Sequence, residues 1–547
     1  MIPGTGKSAA GRTWVHMAET FDTVIVGAGT AGCVLADRLS IDQGRRVLLL
    51  EAGRWDWNPL IHIPYGARKM FDHSMFQWGD ISDPDPTLND HRQSVPHGKV
   101  IGGTGSLNFM AHVRGHPNDY TRWVEQGATG WSYSEVLPFF KECETWEGGE
   151  NEWRGGSGPL GASKAKFVDA LPRAWFAAAK ELGHPLTDDY NGEQNEGFGA
   201  IQYTIRDGRR SSPARAFLRP AMSRRNLTLR TGAHVTKVIF EGRRAVGVEY
   251  VKGGQRQVVR ASERVALCLG AINTPHLLLL SGVGPADHLL ASGIAPLADL
   301  PVGKSLEDHL AFPLLWRRKQ PDPFHKSLRL DRIAMNMLRA HFFGAGPAAH
   351  LPGAIMAFLK SEAALAQPDI QLVISMISPE ANLWYPFINR PGTGSFGLKV
   401  NLLSQRSRGE VVLRSNDPME RPRILYRSLE APEDVATMRR GYHLAMALGE
   451  ATALVPMRTE TILPAKPLLT DDEIDAFVRA NSFQQYHPAC TCRMGNDERS
   501  VLNADLGVKG FDALNVVDAS AMPHLIGGNP NVVIMMMAAR VAAMWQH

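Results

Sequence analysis

Residues 21–40 read FDTVIVGAGTAGCVLADRLS, and residues 45–51 read RRVLLLE. The first stretch opens as an apolar run of the kind that forms a buried strand, turns through Gly-x-Gly-x-x-Gly at Gly27, Gly29 and Gly32, and continues as a helix former. The second supplies another strand, ending on Glu51, nineteen residues beyond Gly32. Each glycine has a mechanical reason: Gly27 permits the tight turn, Gly29 lets a pyrophosphate approach the backbone, and Gly32 lets helix and strand pack closely. The helix N-terminus then faces the phosphates. An acid at Glu51 suits ribose hydroxyls and disfavours a 2′-phosphate. A lone glycine turn is weak, but strand, turn, helix, strand and terminal acid together predict a dinucleotide-binding α/β unit. The pattern does not distinguish FAD from NAD.

With 547 residues, 44% hydrophobic and 21% charged, the chain is long enough to bury a large core divided between two connected domains. The net charge of +4 is spread along the sequence without a basic block, which argues against nucleic acid as a partner. No apolar run approaches the roughly 18 residues of a transmembrane segment; the richest stretches, Leu277 to Leu280 and Val532 to Ala539, are expected in the core. Residues 1–20 lack the apolar stretch of a secretory signal and form a loose leader in this reading, with Met17 a candidate natural start. Five cysteines, at 33, 143, 268, 490 and 492, are not a disulfide framework, and the expected compartment is the cytoplasm. Cys490 and Cys492 form a C-x-C without the C-x-x-C spacing of structural zinc sites or further ligands, so structural thiols and no metal are expected.

At 97–110 the sequence HGKVIGGTGSLNFM clusters Gly98, Gly102, Gly103 and Gly105 ahead of Asn108, which fits close backbone approach to something flat or anionic. A flexible surface loop would carry fewer of the apolar residues found around these glycines. Residues 146–163, WEGGENEWRGGSGPLGAS, suit either a mobile lid or a plain linker. From Asn226 the chain alternates as two or three short strands, and RVALCLGAINTPHLLLLSGVGP returns to a buried strand, a glycine turn and a helix, as in the closing part of a split nucleotide domain. The region 311–470 holds no chemical motif and is expected to shape the substrate cavity.

Residues 486–495 read YHPACTCRMG, and residues 514–545 read LNVVDASAMPHLIGGNPNVVIMMMAARVAAMW. The latter predicts a strand ending at Asp518, a loop, and a helix beginning near Asn531, with Pro530 tolerated at a helix start and Asn531 a good cap. Its positive end would suit a flavin, whose reduced form carries negative charge. One histidine among nineteen is, by itself, more readily structural than catalytic.

Taken together, four blocks resemble the glucose–methanol–choline family of flavoproteins over the chain from residue 21 onward. They are VIVGAGTAGCVLADRLS with LLLEAG; GKVIGGTGSLNFMAHVRG; GAINTPHLLLLSGVGP with LPVGKSLEDHL; and YHPACTCRMG with VVDASAMPHLIGGNPN. The look is that of the bacterial choline-dehydrogenase-like and aliphatic-alcohol-dehydrogenase members. The resemblance implies an α/β (α+β) fold with a Rossmann-like FAD-binding domain (21–165, 215–310 and 475–547) and a discontinuous substrate-binding domain (166–214 and 311–474) built on an antiparallel sheet with helices. It assigns the catalytic positions to His487 and Asn531. It takes FAD contacts from Gly27, Gly29, Thr30, Ala31, Gly32, Glu51, Ala52, Trp78, Gly102, Gly103, Asn108, Met110, Ala111, the backbone of Val235, Gly270, Asp518 and Ala519. Leu107 stands where some members attach FAD covalently through histidine, so non-covalent FAD is expected. One departure is Cys490, where the family pattern has glycine; extra bulk behind His487 would reshape the pocket.

The activity so implied is oxidation of an alcohol to a carbonyl, with hydride transfer to flavin N5; Phe109, Met110, Tyr486 and the apolar C-terminal block point to a primary alcohol with an apolar or aromatic body, giving an aldehyde. His487 serves as base and Asn531 as donor to the substrate oxygen. Oxygen or a quinone-type carrier would be the electron acceptor. A lyase or decarboxylase on the same scaffold, a non-catalytic flavin binder and an NAD-dependent dehydrogenase are the competing readings. Phe109, Met110 and Tyr486 are placed either around the reacting centre or in the core.

Overall fold

A computed structural model describes residues 19–71, 73–167, 170–320, 323–376, 378, 381–392 and 394–546. Of the expected leader, only Glu19 and Thr20 fall within these, and Thr20 already opens the first strand.

The apolar run at 21–26 becomes the strand Thr20–Val26, and VLLLE becomes Val47–Glu51, buried along its whole length. Strands without an exposed face belong in the middle of a parallel sheet covered on both sides. They lie there: five parallel strands run in the order Leu227–Thr231, Val47–Glu51, Thr20–Val26, Gln255–Leu267, Leu514–Val516. The long strand Gln255–Leu267 also pairs, through its first half, with an antiparallel meander of His234–Glu241 and Arg244–Lys252. The segments expected to close a split nucleotide domain thus share one sheet with the first fifty residues. The helices Thr30–Leu39 and Asn531–Met544 contribute to the same core, which includes Val34, Leu35, Met535 and Met536.

The second large sheet is antiparallel, in the order Arg458–Leu463, Leu310–Arg318, Ser395–Leu402, Ile370–Ser375, Ala354–Leu359, Gly197–Ala200. Phe483–Gln484, from the segment 475–547, pairs with its strand Leu310–Arg318, so that segment serves both sheets. Strand alternation gives the sheet two faces. Leu314, Trp316, Phe396, Leu398, Leu372 and Ile374 pack with Trp175 of the helix Leu171–Glu181 and Tyr442 of the helix Pro432–Glu450. Residues of the other parity, among them Met356, Val373 and Lys399, turn toward a large cavity between the sheets.

The glycine-rich stretch 146–163 is neither lid nor linker. Its backbone is held between Glu144–Trp146 and Leu160–Lys164, which pair in parallel. Arg154, fully buried, binds Glu144 Oε1 at 2.9 Å, Asp189 Oδ1 at 2.9 Å and Gln202 Oε1 at 2.8 Å. The glycines serve close packing: a Cβ on Gly155 or Gly158 would collide with the backbone of residues 141–144.

Gly32 is the clearest steric requirement of the first turn, since a Cβ there would collide with the carbonyl oxygen of Gly27. Gly32→Ala should lower stability by about 1–3 kcal/mol, the usual range for overpacking. Thermal denaturation against Gly44→Ala, an exposed control, checks this. Equal melting temperatures would show that the turn relaxes.

Candidate active site

A cavity of ≈ 940 Å³ lies between the sheets. One side is built by the predicted turn: Gly27, Gly29, Thr30, Ala31, Glu51 and Ala52 line it. Gly27 takes φ 99°, and a Cβ there would meet Cys268 O at 2.6 Å, so both conformation and space demand glycine. The loop 97–110 closes over this turn. A Cβ on Gly103 would stand 2.8 Å from Gly29 Cα. Gly103, Asn108 and Ala111 line the cavity, as do Trp78, Val235, Gly270, Asp518 and Ala519.

Three expected contacts do not line it. Gly32 faces the strand, Gly102 turns at φ 84° against Ser106, and Met110, at φ 62°, is fully buried with Tyr203 and Phe358. Of Phe109, Met110 and Tyr486, the two aromatic residues line the cavity while Met110 is core. Cys490 does not reach the cavity either. It lies in the main core with φ 71°, a conformation that accounts for glycine in the family pattern. Cys490 and Cys492 are buried free thiols, and no cluster of three or more metal-ligating side chains occurs among the described residues.

The turn side fits a dinucleotide on its own geometry. The helices Thr30–Leu39 and Asn531–Met544 begin at the cavity without a side-chain cap, leaving backbone N–H groups for a ligand, while the helix Gly270–Leu280 begins there with its first N–H held by Asp518. The N-cap of the last helix is Pro530 and not Asn531. Asn531 is thereby released from capping, and its Oδ1 accepts from Thr30 Oγ1 at 2.8 Å. With that carbonyl occupied, its amide N–H groups remain as donors. Glu51 accepts from Ala28 N at 2.8 Å and Gly53 N at 2.7 Å, and burial pushes its carboxyl up to about 7. Asp518 ties two strand ends together, accepting from Gly270 N at 2.9 Å and Ser520 N at 2.8 Å. Around Trp78, Lys99 and Arg421 each lie 4.5 Å from the ring centre, and Arg421 is held by Asp80 at 2.6 Å.

His487 also lines the cavity, in a chain of partners that the sequence did not reveal. Its Nε2 lies 2.9 Å from Asn529 Nδ2, its Nδ1 3.0 Å from His309 Nδ1, and its backbone N–H donates to Asp308 Oδ1 at 2.8 Å. With the Asn529 amide as donor, Nε2 carries the lone pair and the ring proton resides on Nδ1, facing His309. Burial first, then His309 and Lys399, depress the His487 pKa well below the usual imidazole value; burial likewise takes His309 to about 4. Both rings are neutral at neutral pH. The spacing in LEDHL, which puts Glu307, Asp308 and His309 side by side, was the available signal. Glu307 binds His524 at 3.1 Å and Arg408 at 3.0 Å.

Burial raises Asp308 to about 8 from an ordinary 3.8, so it is a carboxylic acid at neutral pH. The folded protein then binds a proton that the unfolded chain releases. The stability this gives is complete below about 4 and is lost as pH rises toward about 8. Asp308→Asn, a mimic of the protonated acid, should flatten that fall in thermal stability. A variant curve parallel to the parent's across this window would remove Asp308 as its source.

The N-terminal model of the family described as GMC oxidoreductase matches residues 21–311, and its C-terminal model matches residues 405–538. The oxygen-dependent choline dehydrogenase of Photobacterium profundum is 38% identical over 96% of this chain and 93% of its own. Pyridoxine 4-oxidase from "Mesorbium loti" superposes with TM-score 0.86 at 30% identity, over 96% of this chain and 99% of its own. Formate oxidase of Aspergillus oryzae, studied for its FAD modification, superposes with TM-score 0.87 at 26% identity, over 96% and 98%. With its glycine turn, its antiparallel sheet and these matches spanning nearly its whole length, the chain belongs to the GMC oxidoreductases, FAD-dependent enzymes acting on CH–OH groups.

Proposed function

We propose that the protein oxidises a primary alcohol to an aldehyde, with His487 receiving the hydroxyl proton and Asn531 donating to the substrate oxygen. The observation that carries this reading is the pairing of a neutral, depressed-pKa imidazole with an amide whose carbonyl is already engaged by Thr30, both on one cavity. Bound FAD supplies the acceptor for the hydride that leaves the carbinol carbon. The protein's own part is to take the proton and hold the oxygen. The substrate hydroxyl would replace Asn529 at His487 Nε2, and the Nδ1–H toward His309 would keep the ring oriented as the proton arrives. Asn531 has no proton-accepting nitrogen, so the two roles are not interchangeable.

Phe71 packs 5.2 Å from Phe109 and 5.1 Å from Tyr486, ring centre to ring centre, and this cluster on the cavity supports a substrate with an apolar or aromatic body. Leu107 is buried in an apolar cluster with Ile61 and Met70, which supports FAD held without a covalent bond at that position. For the electron acceptor we retain oxygen or a quinone-type carrier, and for the compartment the cytoplasm, which the five free cysteines favour. No helix among the described residues is long and apolar enough to cross a membrane.

Anaerobic titration of the purified holoprotein with primary alcohols should bleach the flavin absorbance, and the rate of recovery in air separates oxygen from another acceptor. His487→Ala should keep its FAD and slow reduction by ~100-fold or more, the lower range for a positioned base. Near-normal reduction in that variant would remove His487 from the chemistry. Asn531→Ala should slow reduction by a comparable factor, as loss of an oxyanion donor does at ~100-fold; an unaltered rate would leave Asn531 as a packing residue.

A further inference from the structure

The cavity's charged lining holds few carboxylates, and Arg421, beside Trp78, is already held by Asp80. Among the described residues, its carboxylates are Glu51 and Asp518, both on the turn side and both holding backbone N–H groups. On the antiparallel sheet the charged lining residue is Lys399, and Arg68 and Lys69, on the helix Ala67–Phe71, also line the cavity. Lys399 interrupts the strand SFGLKVNL, whose other parity is committed to the apolar core through Phe396, Leu398, Val400 and Leu402. Across the sheet it stands opposite Val373 and Pro313. The opening of its side chain is therefore toward the cavity that it lines with Val373 and Gln371.

Among the described residues the Lys399 ammonium has no carboxylate partner. Its neighbour is the Phe483 ring, whose centre is 5.4 Å from Nζ, and such a contact is worth only about 0.5–2 kcal/mol. Lys399 is half-buried at the cavity wall, and a cation partly withdrawn from water without a counter-ion is costly to maintain. Its pKa moves accordingly, lowered first by burial and then by Arg68. Its charge also reaches the reacting centre, since it is among the groups depressing the His487 pKa.

We propose that Lys399 is the recognition group for an anionic substituent, a carboxylate, on the alcohol that His487 and Asn531 turn over. The inference rests on the alcohol-oxidising function and names its substrate class: a hydroxy acid with an apolar body, and not the cationic alcohol of the choline dehydrogenases to which the chain is similar. The anion supplies the counter-ion that the fold withholds, and the aromatic cluster Phe71, Phe109 and Tyr486 covers the carbon body between the two ends. A quaternary ammonium would face Lys399 without an opposing carboxylate among the described residues.

The test uses the FAD-loaded enzyme and three probe sets: ω-hydroxyalkanoates of increasing length, alkan-1-ols of matching length, and choline. At the best length the carboxylate should exceed its matched alkanol by about 10-fold in kcat/KM, the worth of one charge-assisted hydrogen bond, with choline below both. Lys399→Met should collapse that ratio toward one, while Lys399→Arg, which keeps the charge, should preserve it. Alkanols equal to or better than carboxylates at every length, or an unchanged ratio in Lys399→Met, would overturn the assignment of Lys399 and leave alcohol oxidation standing. A parallel titration with a plain alkanoate, followed through the flavin absorbance, reads the anion site without turnover. Binding that weakens in Lys399→Met supports the proposal even if no alcohol bleaches the flavin, and absence of binding to the parent enzyme counts against it.

Discussion

One hydrogen bond, from Thr30 Oγ1 to Asn531 Oδ1 at 2.8 Å, joins positions 501 residues apart and sets the frame of the site. Thr30 is the first residue of the helix after the glycine turn; Asn531 is the first residue of the last long helix. Neither helix has a side-chain cap, so both present bare N–H groups to the same space, and the hydrogen bond fixes one terminus against the other. Gly103, pressed on Gly29, brings the second glycine loop to the same point. That last approach is possible only because Gly103 carries no Cβ, which would stand 2.8 Å from Gly29 Cα. The glycine turn at 27–32 and the glycine loop at 98–105 thus meet one packing requirement from two directions.

The same bond decides what Asn531 is available to do. As a cap, its side chain would turn back on its own helix and satisfy an N–H of the first turn. Pro530 takes the capping position instead, the side chain turns to Thr30, and the amide nitrogen is left over. A difference of one residue in the helix start thus separates a structural asparagine from a hydrogen-bond donor facing a cavity.

The parallel sheet and its turn were legible in the sequence because continuous apolar runs and glycine spacing are local signals. Val47–Glu51 is apolar up to Glu51, and Gly32 has a steric reason within the motif, the carbonyl of Gly27, while Gly27 itself is also pressed by Cys268 from outside it. The lining by Trp78, Val235 and Gly270 came from family resemblance and not from local pattern. What local pattern missed was built across distance. His309 meets His487 from 178 positions away, and Arg154 converts a glycine-rich stretch that looks mobile into a pinned one through Glu144, Asp189 and Gln202. Met110 shows the limit of spacing from the other side: next to Phe109, which lines the cavity, a backbone at φ 62° turns its side chain into the core.

The electrostatics around His487 explain why a neutral base is kept there and what its use entails. His309, itself held neutral by burial, can accept the Nδ1–H of His487 but brings no charge to stabilise an imidazolium. Asp308, which sits on the His487 backbone, is protonated at neutral pH and likewise contributes no negative charge. Lys399 opposes the imidazolium outright. The surroundings therefore favour the lone pair before reaction and disfavour the protonated ring after it, a bias that returns the proton readily and resets the base. A carboxylate placed against Lys399 would cancel part of that opposition while the substrate is bound and restore it on release. On this account the ammonium in the antiparallel sheet would have two effects, attracting the substrate and making the proton affinity of His487 depend on whether that substrate is present.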